Sequence, residues 1–347
     1  MRDLVSIHKI GFRLLRKIHQ VDSLIIPLHL LNVCFSLVRV YAGLFLTAGM
    51  IDDLLAGDYA KAAGLAIALL FTELSAGTVI HLIKRKTKGY DHKIWLIFYV
   101  WLREKAFSLD YETMERQEVS EKILFSERTA DMHGSLGVML YHYCNILEAL
   151  LNVLLSFFLV IGLCLARPQK AAGPLGALAL PALSLILFAA VLAGMALCSF
   201  GVFRRFASKQ MEIFTSHTGV ENKLSYLLGQ IYGNSRTGKI IRIYDMAQML
   251  LENTGREQKQ SISYFERMCD VGRQEGDANK ATSSVFTVCS YLLVAVKTVT
   301  GAITVGAFTR YAGAMNQFGN ACFTIIESHG RLREICTYMQ EFLAFLD

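Results

Sequence analysis

Six long apolar runs dominate this sequence, and their length limits what the chain can fold into. They cover about residues 24–50, 63–83, 144–166, 176–202, 281–300 and 307–326. A helix needs roughly 18 to 20 apolar residues to cross a bilayer, and several of these runs exceed that length. With 53% hydrophobic and 18% charged residues, the chain is also too apolar for an ordinary soluble domain. The sequence therefore predicts an all-α, polytopic membrane protein with six transmembrane helices.

The charges beside the runs predict the orientation of the chain. A basic cluster at 84–88 follows the second run, whereas the turn at 52–58 between the first two runs is acidic. By the positive-inside rule, the N-terminus, the loops 84–140 and 203–280, and a C-terminal helix at 327–347 are cytoplasmic. We therefore expect a multi-pass protein of the cell membrane with both termini inside. The net charge of +6 is assigned to this orientation rather than to nucleic-acid binding.

Residues 1–20 have the pattern of a basic amphipathic helix. Lysine and arginine occupy its polar side, and its apolar side consists of Leu4, Ile7, Leu14, Leu15 and Ile18. A helix of this kind lies in the membrane interface, so we expect it on the cytoplasmic surface of the bilayer. A cleaved signal peptide is the alternative. The apolar run that follows is too long for one, and no small-residue cleavage site ends it.

The segment Gly238–Asn253, GKIIRIYDMAQMLLEN, lies within the second cytoplasmic loop. Its apolar residues fall close to one face of a helix, and they are Ile241, Tyr244, Met246, Leu250 and Leu251. A helix outside the membrane needs a partner to cover such a face. We therefore predict one helix across this segment, with another protein docked on it.

This segment resembles the second intracellular loop of the transmembrane domain of ATP-binding cassette (ABC) exporters, where a short coupling helix docks on the nucleotide-binding domain. The peptide-exporter-like branch commonly has Gly-Lys, an acidic residue and Ile-Arg-Leu-Tyr at this point. The matching residues are Gly238, Lys239, Ile241, Arg242, Ile243 and Tyr244. Ile240 stands where the acidic residue is common.

The first cytoplasmic loop also resembles that family. Its stretch FSLDYETMERQE is similar to the first coupling loop through Leu109, Asp110, Tyr111 and Glu112. The alternative is a solvated charged turn. Just before it, the run Ile94–Leu102 is too short to cross a bilayer, and we predict a buried helix that continues the second span below the membrane.

The resemblance implies the fold and the mechanism. The fold would be that of an ABC exporter transmembrane domain, with an elbow helix at 1–20, six long helices extending into the cytoplasm, and a domain-swapped homo- or heterodimer. The partner would be a nucleotide-binding domain or an ABC half-transporter, which would bind ATP and magnesium. Its closure would push the coupling loops and drive alternating access. The coupling residues carried over from the family are Leu109, Asp110, Tyr111, Glu112, Ile241, Arg242, Tyr244, Asp245 and Met246.

No nucleotide-binding domain is encoded in these residues. The heptapeptide GNSRTGK at 233–239 matches G-x-x-x-x-G-K, but Ile240 follows it where Ser or Thr must hold the magnesium ion. Neither a Walker B aspartate nor a Leu-Ser-Gly-Gly-Gln signature is present. The chain is therefore expected to be either a membrane subunit that uses cassettes of another polypeptide or a truncated product.

No catalytic or metal-binding motif suggests another chemistry. The histidines are scattered, H-E-x-x-H and G-x-S-x-G are absent, and the eight cysteines lack C-x-x-C spacing. We predict no catalytic residues, no metal site and no cofactor bound by this chain. The transported substrate is left open among peptides, lipids and drugs, with a peptide favoured by the Ile-Arg-Ile-Tyr variant. The alternative function is a membrane sensor or interaction protein that keeps the exporter fold without the motor.

The sixth run carries a polar face. Asn316, Gln317, Asn320, Thr324 and Glu327 recur at three and four residues, which places them on one side of a helix. Polar side chains at membrane depth face a bundle interior or a wet cavity. We predict that this face lines the translocation cavity. Hydrogen bonding between helices, without substrate contact, is the alternative.

Two charges lie in the middle of apolar runs. Arg39 is 11 residues before Met50 and Glu73 is 11 residues after Ala62, so both would lie about 16 Å from the outer boundary. Spans joined by a short turn are neighbours, and equal depth lets the two side chains meet. We predict an ion pair that clasps the first hairpin. The alternative is part of a charged substrate or proton site.

Overall fold

A computed structural model describes residues 2–116, 118–119, 122–123, 126–127, 136–168, 178–232 and 235–346. Within these ranges the chain is helical and contains no strand. The helices are α1 (Arg2–Val21), α2 (Ile25–Leu55), α3 (Tyr59–Ser108), α4 (Tyr111–Glu115), α5 (Leu136–Leu165), α6 (Pro181–Tyr226), α7 (Ser235–Ile243), α8 (Ala247–Val299) and α9 (Val305–Leu346), with a π-helix at Leu227–Tyr232.

Five of these helices are long and apolar enough to cross a membrane. They are α2, α3, α5, the stretch Pro181–Gln210 of α6, and α8. The prediction of a helical, multi-pass membrane protein is confirmed at this level. The sixth predicted span, 307–326, lies in α9, whose described residues do not reach the same apolarity. The predicted start of the fourth span, at 176–177, lies outside the described residues.

The long helices run well beyond the apolar runs. α3 has 50 residues and joins the second predicted span to the run Ile94–Leu102 without a break. Ile94, Phe98 and Leu102, four residues apart, are buried, so the prediction of a buried helix that continues the second span is confirmed. The C-terminal helix expected at 327–347 is not a separate element, because no helix stop interrupts α9 between Val305 and Leu346. Asp347 lies outside the described residues.

Three helices end in the same backbone arrangement. The amide three residues past the last helical residue bonds to the carbonyl five residues before it, as in Asp58 N to Asp53 O at 2.9 Å and Ala302 N to Lys297 O at 2.9 Å. This Schellman motif needs a left-handed residue just before that amide, and Gly57 and Gly301 supply it with φ of 79° and 69°.

The third motif interrupts the helix predicted across Gly238–Asn253. Met246 N bonds to Ile241 O at 3.0 Å, and Asp245 takes the left-handed conformation with φ of 48°. α7 therefore ends at Ile243 and α8 begins at Ala247. The prediction of one helix is wrong because aspartate, a residue that tolerates this conformation, replaces the usual glycine signal.

The chain divides into two compact units, which are Met1–Ala193 with Phe286–Asp347, and Gly194–Val285. In the first unit, α9 packs along α5 and α2. Two glycines permit the close approach of α9 to α2: a Cβ at Gly306 would lie 2.1 Å from Ala48 O, and one at Gly313 would lie 2.2 Å from Leu44 Cδ2. Small residues at such contacts are typical of membrane helix packing.

The amphipathic helix α1 belongs to the protein core. Leu14 and Ile18 are almost fully buried in a cluster with Phe98 of α3 and Phe342 of α9, and Leu15 packs against it. Leu14 and Ile18 therefore face protein rather than lipid, because α3 and α9 offer them an apolar partner. The position of α1 on the cytoplasmic surface of the bilayer stays a prediction. The side chains of Leu4 and Ile7 lie outside those described.

The second unit is an antiparallel pair formed by parts of α6 and α8. Gln210 Nε2 donates to Glu275 Oε2 at 2.9 Å, and farther along Lys223 Nζ lies 3.8 Å from Glu257 Oε1. Next to the turn, the Tyr232 and Thr254 hydroxyls are 3.1 Å apart. These contacts hold α7 and the Asp245 turn at one end of a helical hairpin.

Candidate functional site

The first predicted coupling loop forms a short capped helix. α3 ends at Ser108, Leu109 is extended, and the Asp110 carboxylate accepts the amide of Thr113 at 3.2 Å, which starts α4. The Thr113 hydrogen bond also lowers the pKa of Asp110. The ring of Tyr111 is 77% exposed. Glu112 forms an exposed ion pair with Arg116, four residues later in the chain, at 3.4 Å.

The second predicted coupling loop is the turn between α7 and α8. Arg242, Tyr244 and Asp245 are exposed, whereas Ile241 and Met246 are half-buried. Large apolar side chains crowd the surface of this turn, and the most exposed are Ile240, Ile243, Tyr244, Met249 and Leu251. Tyr244 itself is 72% exposed. Several large exposed apolar side chains around one turn are typical of a surface that another protein covers.

The phosphate-loop match at 233–239 has the wrong structure for nucleotide binding. A phosphate loop follows a strand and wraps the phosphates with non-helical backbone. Here the preceding residues Leu227–Tyr232 are a π-helix, and Ser235–Ile243 is an α-helix. Gly233 and Asn234 lie outside the described residues.

The predicted polar face of α9 divides into two parts. Asn316 Nδ2 donates to the Tyr291 hydroxyl of α8 at 3.1 Å, so this residue joins two helices. Thr324 bonds within its own helix, to Asn320 O at 2.9 Å. Gln317 is half-buried, and Asn320 and Glu327 are exposed. The part of the face that contains Asn320 and Glu327 is thus exposed. Asn316 instead forms a hydrogen bond between helices, which was the alternative to a cavity-lining role.

An apolar cavity of about 230 Å³ lies on another side of α9. Met315 lines it together with Leu187 and Phe188 of α6 and Leu293 of α8. None of the five predicted cavity-lining residues contributes to it. It is therefore a different space from the predicted translocation cavity.

The structure brings Arg39 and Glu73 together. Arg39 Nε lies 2.6 Å from Glu73 Oε2, across the hairpin of α2 and α3. The two side chains remain 47% and 39% exposed, so the pair lies at the surface of its unit. An ion pair at membrane depth is costly against lipid, which means that water or protein must cover this side of the hairpin.

Three further acidic or basic residues, counting Asp, Glu, Lys and Arg, lie inside the predicted spans and were not singled out from the sequence. Glu148 of α5 accepts a hydrogen bond from Ser36 Oγ at 2.7 Å. Lys297 of α8 is fully buried and donates to the carbonyls of Cys164 and Ala166 at 3.0 and 2.8 Å. Arg310 of α9 lies over aromatic rings. Each could have been found by the signal that revealed Arg39, a charge within an apolar run.

Glu148 belongs to a polar seam between α2 and α5. The Tyr41 hydroxyl contacts Asn152 O at 3.1 Å and Ser156 Oγ at 2.7 Å. Glu148, Asn152 and Ser156 are four residues apart and so share one face of α5. The seam fixes how these two apolar helices pack.

The acidic turn after α2 also has a structural role. Asp52 accepts hydrogen bonds from Thr304 Oγ1 at 2.7 Å and from Gly306 N at 2.8 Å. It thereby caps the N-terminus of α9. The described residues contain no group of three or more His, Cys, Asp or Glu that could hold a metal ion. No family model matches this chain, and no curated protein matches it.

Proposed function

We propose that this chain is the membrane-spanning part of an ATP-driven exporter, worked by a nucleotide-binding domain outside these residues. The observation that carries the proposal is the exposed apolar turn between α7 and α8, which includes Tyr244. A monomer gains nothing from keeping such side chains in water, whereas a docked domain would bury them. The sequence of the turn resembles the family's coupling loop at the same place.

The lengths of the helices support this proposal. α3 and α8 have 50 and 53 residues and are therefore about 75 to 80 Å long, against a hydrocarbon core of about 30 Å. Each helix carries a coupling loop at the end that we assign to the cytoplasm. A rigid helix of this length transmits a push at the loop into the membrane.

The proposal includes α9 as the sixth span. Its polar face and Arg310 account for its lower apolarity. Several of its small and apolar residues are buried against other helices, among them Ala314 and Met315. A helix shielded by protein tolerates polar groups that lipid would not.

In this mechanism the chain itself hydrolyses nothing. ATP and magnesium bind to the partner, a nucleotide-binding domain or an ABC half-transporter. Closure of the cassettes moves the loops at Tyr111 and Tyr244, and the spans alternate between inward-open and outward-open. The chain would act in the cell membrane as a domain-swapped homo- or heterodimer, with a peptide as the favoured substrate.

The test is the coupling of ATP hydrolysis to the turn. The tagged chain is purified in mild detergent from its own cells, and vanadate-sensitive ATPase activity is measured in the eluate. Tyr244→Ala and Arg242→Glu should each lower the co-purifying activity by at least about tenfold, since a docking surface contains a few residues worth 1.4 kcal/mol or more. Phe265→Ala, which removes an exposed ring elsewhere on α8, is the control. Unchanged activity in both turn variants would contradict the docking assignment.

A further inference from the structure

Arg310 differs from the other cations in the predicted spans. Arg39 has a carboxylate partner, and Lys297 is satisfied by two carbonyl groups. Arg310 forms no ion pair with any carboxylate that the structure describes, and its buried Nε has no hydrogen-bond partner there. A guanidinium without a carboxylate at membrane depth is unfavourable by a few kcal/mol or more, so its N–H donors need a polar partner such as water or a ligand.

Two aromatic rings hold the guanidinium in place. Its central carbon lies 5.2 Å from the ring centroid of Phe45 on α2 and 4.8 Å from that of Tyr311. Both distances are within the range of cation–π attraction. The rings stabilise the charge but accept no N–H hydrogen bonds in the guanidinium plane, which leaves its donor edges for a ligand.

Arg310 does not extend toward the outer end of the bundle. That end is marked by Asp52, which caps α9, and Phe45 precedes Asp52 by seven residues, or about 10 Å along α2. A snorkelling arginine would direct its charge to the headgroups. The Arg310 guanidinium instead lies over the ring of Phe45. Phe45 lies between Leu44, which contacts Gly313, and Ala48, which contacts Gly306, and so it is well inside that end of the bundle.

The position of Arg310 continues the polar face of α9. Gln317 and Thr324 follow it at steps of seven residues, and each step returns to within about 20° of the same side of the helix. Arg310 therefore stands at the outer end of the row of polar residues that we assign to the translocation cavity. It adds a positive charge to a face whose other charged residue, Glu327, is negative and lies 17 residues farther along α9.

We propose that Arg310 binds the oxyanion of the transported substrate, a carboxylate or phosphate carried by an otherwise apolar molecule. The planar fork of donors fits either group, and Phe45 and Tyr311 provide apolar surface beside it. This assignment rests on the proposed function, because it requires that the polar face of α9 borders a cavity open to water.

The experiment measures the local potential with two thiol reagents. Cys164 and Cys336, which are buried, are retained, and the other six native cysteines are replaced by alanine. Gln317→Cys then places one thiol about 10 Å from Arg310 along the helix. Reaction rates are measured with an anionic sulfonate and a cationic trimethylammonium methanethiosulfonate, in maltoside micelles and in phosphatidylcholine nanodiscs.

The anionic reagent should react preferentially, and Arg310→Gln should lower the anionic-to-cationic rate ratio by about fourfold at low ionic strength if the space is as polar as bulk water, and by more where protein lowers the effective dielectric constant. Arg310→Lys should keep most of the preference, which shows that the effect follows charge rather than a folding defect. Arg167→Gln removes an exposed cation and should leave the ratio unchanged. Benzoate should slow the anionic reagent only when Arg310 is present.

Three results would overturn the assignment in distinguishable ways. If Gln317→Cys reacts but Arg310→Gln leaves the anionic-to-cationic rate ratio unchanged, the assignment of Arg310 as an oxyanion site is wrong, and the prediction of a cavity is retained. If the preference is present in maltoside and absent in phosphatidylcholine, a lipid phosphate occupies Arg310 instead of substrate. If Gln317→Cys reacts with neither reagent, both the cavity and the oxyanion site are wrong.

Discussion

Arg39 and Glu73 meet between two apolar helices and yet remain partly exposed at the surface of their unit. In water such a pair contributes only about 0 to 1 kcal/mol. Inside a membrane, removal of one partner leaves the other as an uncompensated charge, and the loss of stability approaches the roughly 3 to 5 kcal/mol of a buried pair. The contribution of this ion pair to stability therefore depends on whether water, protein or lipid covers this side of the hairpin.

Arg39→Leu and Glu73→Leu should each lower the midpoint of thermal unfolding in lipid nanodiscs, and the double variant should recover much of the loss. The reason is that the double variant leaves no unpaired charge. Losses that add would mean that the two side chains do not interact. Normal stability with abolished transport would favour the substrate-site alternative over the clasp.

Lys297 provides a second test at the residue scale. Its Nζ donates to the carbonyl of Cys164 in the last turn of α5 and to that of Ala166 just after the helix. Lys297→Met keeps the apolar stem and removes the donor to Ala166 O, whereas Cys164 O keeps a hydrogen bond from Ser184 Oγ, so we expect a loss of about 1 to 3 kcal/mol. Lys61→Met, which removes a 72% exposed amine from an ion pair with Asp58, is the matched control. Equal effects of the two substitutions would argue against a capping role.

Counting along the sequence found Arg39 and Glu73 because depth follows from position within an apolar run. It could not give the partner of Lys297, since that partner is backbone at the end of another helix. It also could not show that Arg310 is held by a ring on α2. Such contacts depend on which faces pack together, and that is a tertiary property.

At the scale of elements, two helix ends follow breaks in hydropathy and a third does not. The apolar runs ending at about residues 50 and 300 are followed by the ends of α2 at Leu55 and of α8 at Val299, where Gly57 and Gly301 take the left-handed conformation. Asp245 performs the same backbone function at the end of α7, and apolar periodicity across the segment suggested an unbroken helix. Of the five apolar residues predicted to form an exposed face, Tyr244 and Leu251 are exposed, Ile241 and Met246 are half-buried, and Leu250 is buried. The prediction assumes an unbroken helix, and the turn at Asp245 changes which side chains face outward.

The contact between α1 and α9 should be sensitive to pH. The rings of His8 and His329 lie 5.6 Å apart. Burial lowers the pKa of His329 below its ordinary value of 6.5, and the nearby His8 and Arg333 lower it further. The folded state thus favours neutral His329, so its stability is full above the unfolded pKa and falls as pH decreases through the folded one.

We therefore expect the thermal midpoint to fall between pH 7 and pH 5 by more in the wild type than in His329→Asn. The exposed His19 of α1, changed to Asn, should leave the pH dependence as it is in the wild type. Identical pH profiles for the wild type and His329→Asn would show that this contact does not titrate with folding.

At the scale of the whole molecule, the two main features are the length of the helices and the division of the chain into two compact units. Helices far longer than a membrane is thick connect the membrane to exposed loops, and the Gly194–Val285 unit is compact by itself. Both features are compatible with the membrane domain that we propose. The helical, multi-pass character of the chain was predictable because hydropathy acts over tens of residues, and five of the six predicted spans coincide with helices long and apolar enough to cross a membrane. The orientation of the loops stays a prediction.

The central claim is that ATP used by another protein moves this membrane domain through the turn at Tyr244. Its most direct test is the reactivity of Asn320→Cys, in the background that retains only Cys164 and Cys336, toward a water-soluble thiol reagent in native membranes, with and without ATP and vanadate. We expect trapping to change the labelling rate several-fold, and Tyr244→Ala to abolish that change while insertion and the basal rate persist. A rate that is the same in all four conditions would contradict the account and favour a membrane interaction protein without transport.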